Sequence, residues 1–173
     1  MAIYKIDPLH SVIDFKVKHL MISNVNGKFT KFDATIISEE EDFSDADIQF
    51  ECDADSISTN ISDRDSHLKS EDFFHSEKFP KITFKSTGVK KEQDFYIIKG
   101  NLKIKNVEKE IEIKGYYNGN AIDLHGVNKY GFDLKGVINR SDYDLKFNAT
   151  GGKGNSLVGE EVKITISIQM FRS

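Results

Sequence analysis

The chain has no tryptophan, one cysteine and two prolines among 173 residues, and each scarcity removes a class of protein. With Cys52 alone, an internal disulfide and any cysteine-based zinc cluster are excluded, and a reducing, cytosolic setting is compatible. Ordinary apolar content, scarce proline and thirteen phenylalanines exclude a disordered or collagen-like chain. No stretch approaches the length needed to span a bilayer. The opening residues MAIYKIDPLH carry no apolar segment followed by a small-residue cleavage site, so the expectation is a cytoplasmic protein without a signal peptide and not membrane-spanning. Net charge is -4, and the lysines are interleaved with glutamates, as in KIKNVEKEIEIK, which leaves no attraction to phosphate backbones and argues against a nucleic-acid partner. The length suits a single domain over residues 1–173.

What the chain has in abundance is alternation. Val162, Ile164, Ile166, Ile168 and Met170 share one parity, while Lys163, Thr165, Ser167 and Gln169 share the other, the pattern of a half-buried strand. The same pattern recurs at Ile13, Phe15 and Val17; at Ile48, Phe50 and Cys52; at Ile82 and Phe84; and at Ile111 and Ile113. Gly100 lies among Tyr96, Ile98, Leu102 and Ile104, and Gly136 among Phe132, Leu134 and Ile138. Glycine on the inward parity predicts bends in a curved sheet. Between Phe29 and Phe32 the parity flips and continues through Ala34 and Ile36, which predicts a β-bulge near Lys31. Turns are expected at Asn26-Gly27, Asn118-Gly119-Asn120, Lys105-Asn106 and GGKGN (residues 151–155), with EEED (residues 39–42) as a solvated hairpin tip. About eight such strands leave exposed edges unless the sheet closes into a barrel, whose interior is either filled or holds one small ligand.

RDSHLKSEDFF (residues 64–74) breaks the alternation and is the one good helix candidate. Ser62 is expected as N-cap, Asp63 and Asp65 in the first turn, and Asp65 with Lys69 as an ion pair; about two turns result. So short a helix needs docking, for which Leu68, Phe73, Phe74 and Phe79 are available, and it reads as a lid over one barrel end. His10, His19, His67 and His75 show no metal-ligand spacing: His10 and His19 stand an odd number of residues apart on one expected strand and so face opposite ways. GNSLVG (residues 154–159) misses the nucleophile-elbow spacing, and GGKGNS lacks the residue and helix of a phosphate loop. Arg64 in DRD and Arg140 in NRSD are candidates for bidentate aspartate pairs or for an anionic head group.

HSVIDFKVKHL with VNGKF, SISTNISDRDSHLKSEDFF, FPKITFKST, GNLKIKNV and INRSDY, in this order and spacing, resemble the YceI family of lipocalin-like, polyisoprenoid-binding proteins over nearly the whole chain. The resemblance implies an all-β fold, an extended eight-stranded antiparallel barrel with one short helical lid. It implies a long-chain amphipathic lipid in the lumen: an isoprenoid quinone, a polyprenyl chain or a fatty-acid derivative. It also implies binding, storage or transport rather than catalysis, with no cofactor. Combined with the parity argument, it places such a chain against Phe15, Val17, His19, Phe29, Ile36, Ile48, Phe50, Leu68, Phe73, Ile82, Phe84, Ile104, Ile138 and Ile166. His10, Arg64, Asp65 and Arg140 then serve lid or head group. Two positions depart from the family pattern, Asn106 and Asp144, each standing where glycine is usual. An enzyme acting on the head group, a filled barrel serving as an interaction module, and a homodimer stay open.

Overall fold

The computed structural model describes residues 1–148 and 157–173. Eleven strands form one antiparallel sheet: β1 (Ala2–Ile6), β2 (Val12–His19), β3 (Ser23–Phe29), β4 (Phe32–Ser38), β5 (Asp47–Asp53), β6 (Ile57–Ser58), β7 (Lys81–Lys91), β8 (Tyr96–Ile104), β9 (Val107–Ile122), β10 (Asn128–Asn139) and β11 (Val158–Arg172). Three pairs of short strands are single ribbons with a kink: β1 with β2, β3 with β4, and β5 with β6. β1 pairs with β4 and β2 with β3, while the two ends of β11 pair with β1 and β2. The result is a closed barrel of eight up-and-down ribbons, in which, among the described residues, residues 23–27 of β3 are paired on the β2 side alone and β6 on the β3 side alone.

Each kink has a local cause. Between β1 and β2 the chain makes a 3₁₀ turn (Pro8–His10), in which Asp7 Oδ1 accepts from the Leu9 N–H at 3.1 Å. Ser11 Oγ donates to the Asp7 carbonyl at 2.6 Å and accepts from the Gln169 N–H, tying the bend to β11. His10 therefore sits in a turn, exposed and 2.9 Å from Asp7, and not on a strand opposite His19. The parity flip after Phe29 is met by a two-residue break at Thr30 and Lys31, where the bulge was expected. The ladder bends there without being lost, because Thr30 donates to Ser56 and Asp53 donates to Lys31.

Turn chemistry was less legible. Asn26-Gly27 lies inside β3, where the missing Cβ of Gly27 lets the Phe15 ring lie across the strand. The hairpin turn falls instead at Leu20 and Met21, both left-handed. Asn118-Gly119-Asn120 lies inside β9 and forms a bulge: Gly131 faces Gly119 and Phe132 faces Tyr117, so Asn118 is left unpaired. Lys105-Asn106 is a tight turn as expected, but Lys105 takes the left-handed conformation. The GGKGN turn, and the first three residues of GNSLVG, lie outside the described residues.

One end of the barrel is sealed. The loop after β4 carries EEED to the surface but turns Phe43 inward, where its ring meets Tyr4, Tyr117 and Phe132 with centroids 5.1–5.4 Å away. Asp45 holds that loop by accepting from Ser38 Oγ and the Glu39 N–H, Tyr96 Oη donates to the Asp42 carbonyl, and Lys91 pairs with Asp42 at 2.8 Å. At this end inward residues such as Ile168 and Ile36 are buried, and Met170 is fully so.

Candidate functional site

Towards the other end the same inward parity changes character. On β11, Met170 and Ile168 are buried, but Ile166, Ile164 and Val162 are only half-buried; on β2, Ile13 is buried while Phe15, Val17 and His19 are half-buried. These side chains face the barrel axis, so their exposure is to an internal space. That space is a cavity of about 520 Å³ with a wall of aliphatic and phenyl groups contributed by every ribbon. The volume falls in the range of small-molecule sites. Of the expected wall residues, Phe15, Val17, His19, Phe29, Ile48, Phe50, Leu68, Phe73, Ile82, Phe84, Ile104, Ile138 and Ile166 all line it. Ile36 does not, because it stands opposite Tyr4 in the packed aromatic end. Cys52 is on the wall with a thiol that burial pushes up to about 12, so it carries almost no thiolate.

Ile98, Leu102, Ile111, Ile113, Leu134 and Ile164, which parity placed inward but which were not among the expected contacts of the lipid chain, line the cavity as well. Leu145 and Phe147 were not readable at all, since they lie on the aperiodic segment after β10.

RDSHLKSEDFF is the lid. The α-helix α1 (Ser62–Lys69) starts one residue earlier than expected: Ile61 is its cap residue and offers no side-chain cap, so Ser62 is the first helical residue. No residue of α1 is buried. The helix is not docked by an apolar face but by hydrogen bonds onto Thr59. Asp65 Oδ1 accepts from the Thr59 N–H at 2.7 Å and from its hydroxyl at 2.6 Å. Arg64 donates from Nε to that hydroxyl at 2.7 Å and from an Nη to the Thr59 carbonyl at 2.9 Å. Neither the DRD pair nor the Asp65–Lys69 pair forms; Lys69 reaches Asp55 instead, at 4.0 Å. Asp65 was free to prefer Thr59 because two neutral and geometrically fixed donors outweigh one mobile lysine in water. After the helix, Phe73 is buried, and the His67, Phe73 and Phe147 rings pack together with centroids 4.7–5.2 Å apart, clasping the lid to the segment after β10. Phe79 takes no part in the wall; it lies beside His75 and Lys78.

The two arginines divide roles. Arg140 is 3% exposed, and Nε and both Nη groups are engaged: to the carbonyls of Gly159, Leu145, Phe147 and Val158 at 2.6–3.3 Å and to Glu160 at 3.5 Å. All five donors of a guanidinium are accounted for, so Arg140 holds the barrel rim together and has nothing left for a head group. No aspartate of NRSD joins it. Arg64, also on the cavity wall, uses only Nε and one Nη among the described residues, and it shares that wall with His19 and His67. Asp144 takes left-handed backbone (φ 60°) at the end of the 3₁₀ turn Arg140–Tyr143, which explains why glycine suits that position. Among the described residues no group of three His, Cys, Asp or Glu could hold a metal, and no helix is long and apolar enough to cross a membrane.

Comparison with known proteins agrees with this architecture. Protein YceI of Salmonella newport (strain SL254) is 35% identical over 170 residues, covering 97% of this chain and 86% of that protein. Among solved structures, Burkholderia cenocepacia BcnA superimposes with a TM-score of 0.80 at 21% identity, covering 95% of this chain and 98% of that one. A polyisoprenoid binding domain from Saccharophagus degradans, implicated in plant cell wall breakdown, superimposes with a TM-score of 0.71 at 14% identity, covering 98% of both chains. The YceI-like domain matches residues 4–170, from the first ribbon to near the end of β11, and the chain belongs to that family.

Proposed function

We propose that the protein is a non-catalytic carrier or store for one long-chain amphipathic lipid, its chain along the barrel axis and its polar end beside Arg64. The observation that supports this most directly is the continuous apolar cavity of about 520 Å³, sealed at one end by Phe43 and covered at the other by a hydrogen-bonded lid. Each methylene moved from water onto such a wall gains about 0.8 kcal/mol before ordering costs, so affinity should rise with chain length. The unengaged donors of Arg64 favour a head group bearing oxygen acceptors or negative charge, such as a quinone, a phosphate or a carboxylate. The wall's single thiol, Cys52, is kept protonated by burial and so offers a bound lipid no nucleophile. The fold shared with the Saccharophagus degradans polyisoprenoid binding domain fits an isoprenoid chain.

The test is extraction of natively purified protein with organic solvent and mass spectrometry of the extract. A near-stoichiometric polyprenyl or acyl lipid is expected. Absence of such a lipid, together with failure of the delipidated protein to take up any fluorescent long-chain probe, overturns the reading.

A further inference from the structure

Beside the mouth lies a turn of unusual composition. β2 and β3 are joined by Leu20, Met21 and Ile22, where glycine, asparagine or aspartate would ordinarily supply the geometry. Leu20 and Met21 both adopt left-handed backbone, with φ of 52° and 59°, a conformation disfavoured for bulky side chains. The conformation presents apolar groups to water: Met21 is 61% and Ile22 82% exposed. The turn is continuous with the cavity, since the Leu20 N–H donates to the Leu157 carbonyl at 2.9 Å and His19, Val25 and Leu157 belong to the cavity wall. The outward face of its two strands carries Lys16, Lys18 and Lys28 against the single acid Asp14. None of these lysines is in an ion pair with a described residue.

Resting on the carrier reading above, we propose that this turn docks the mouth on an anionic lipid bilayer, with Met21 and Ile22 in the interfacial layer and the three lysines over the head groups. Apolar tip plus flanking cations is the chemistry by which a protein rests on such a surface without spanning it. The placement gives the docking a purpose: the lumen opens where its cargo resides. The opposite end also exposes apolar groups, Leu124 and Ile122, but it is sealed by Phe43 and carries Glu39, Glu40, Glu41 and Asp94, while its Asp42 and Glu92 are paired with Lys91 and Lys90, so it offers an anionic surface no excess of cations.

Flotation with vesicles of phosphatidylcholine alone, and of phosphatidylcholine mixed with phosphatidylglycerol, tests the proposal. The parent protein should float with the mixed vesicles only. The double variant Met21→Asp, Ile22→Asp should lose roughly tenfold or more of that binding and slow its uptake of a fluorescent long-chain fatty acid from vesicles, while filling normally when the probe is added from ethanol. Lys16→Gln with Lys18→Gln, which leaves the turn untouched, should weaken flotation in the same direction, and Leu124→Asp should float like the parent. Unchanged flotation of the turn variant, an equal loss in Leu124→Asp, or equal flotation on both vesicle types overturns docking on an anionic bilayer. So does a parent that does not float but forms a dimer abolished by the turn variant, which would mean that a second copy covers the turn. Lipid recovered by extraction reports the carrier reading separately, so either idea fails without the other.

Discussion

Asp7 illustrates how much a single residue carries at a kink. Its carboxylate accepts from Lys129 Nζ at 2.7 Å, from His10 at 2.9 Å and from the Leu9 N–H, and the hydrogen bond from Lys129 is the largest influence lowering its pKa from 3.8 to about 2. A folded-state value below the unfolded one means that the charged form favours folding. Its contribution, about 1 to 2 kcal/mol, is fully present above about pH 4 and is lost as pH falls towards 2. Urea titrations at pH 5, 3 and 2 should show that loss, and Lys129→Met should flatten it while costing about 3 kcal/mol at neutral pH, because the carboxylate is left buried without its cation. Two glycines provide a second contrast. A Cβ at Gly100 would meet the Phe84 ring and stand 2.6 Å from the Lys85 carbonyl oxygen, whereas a Cβ at Gly27 would meet only the far end of the Phe15 ring. Phe15 can swing into the lumen; the Lys85 backbone cannot yield. Gly100→Ala should therefore cost about 1 to 3 kcal/mol in thermal unfolding, and Gly27→Ala distinctly less.

At the scale of the element, the lid is a polar helix held by one threonine. Thr59 donates to Asp65 and accepts from Arg64, so its hydroxyl joins both charges while its backbone serves each of them again. Thr59→Val keeps the shape and removes the shared hydroxyl. Hydrogen exchange over residues 59–70 should accelerate before any change in β7 to β10, with a local cost of about 1 to 3 kcal/mol. Exchange that rises evenly through the barrel instead would show that the lid and the strands open as one unit. The helix was visible in the sequence as its one good helix candidate, yet its cap and its docking partners were not. Nothing in RDSHLKSEDFF indicates that Thr59, just outside it, would compete successfully with Lys69 for Asp65.

For the whole molecule the decisive question is whether the interior is open or filled. Val17 and Ile166 line the cavity from β2 and β11. In a close-packed core, enlarging either to phenylalanine typically costs about 1 to 3 kcal/mol. Here the added ring has space to enter, so Val17→Phe and Ile166→Phe should leave delipidated protein nearly as stable in urea, yet reduce retention of a long-chain lipid more than that of a shorter one. Destabilisation of both lipid-free variants without any change in recovered lipid would mean a filled barrel. Alternation by itself determined that the chain is a sheet, which residues face inward, and that the sheet must close, because period two and the hydrogen-bonding demand of edges are local properties that every strand expresses. It could not determine how deep each inward residue lies. Ile36 and Ile166 look alike in sequence, and one is packed against Tyr4 while the other faces free space. That difference was decided by tertiary structure, through Phe43 and its left-handed loop filling one end and α1 merely covering the other, since the width of a lumen depends on which distant side chains converge at each level and no single strand encodes it.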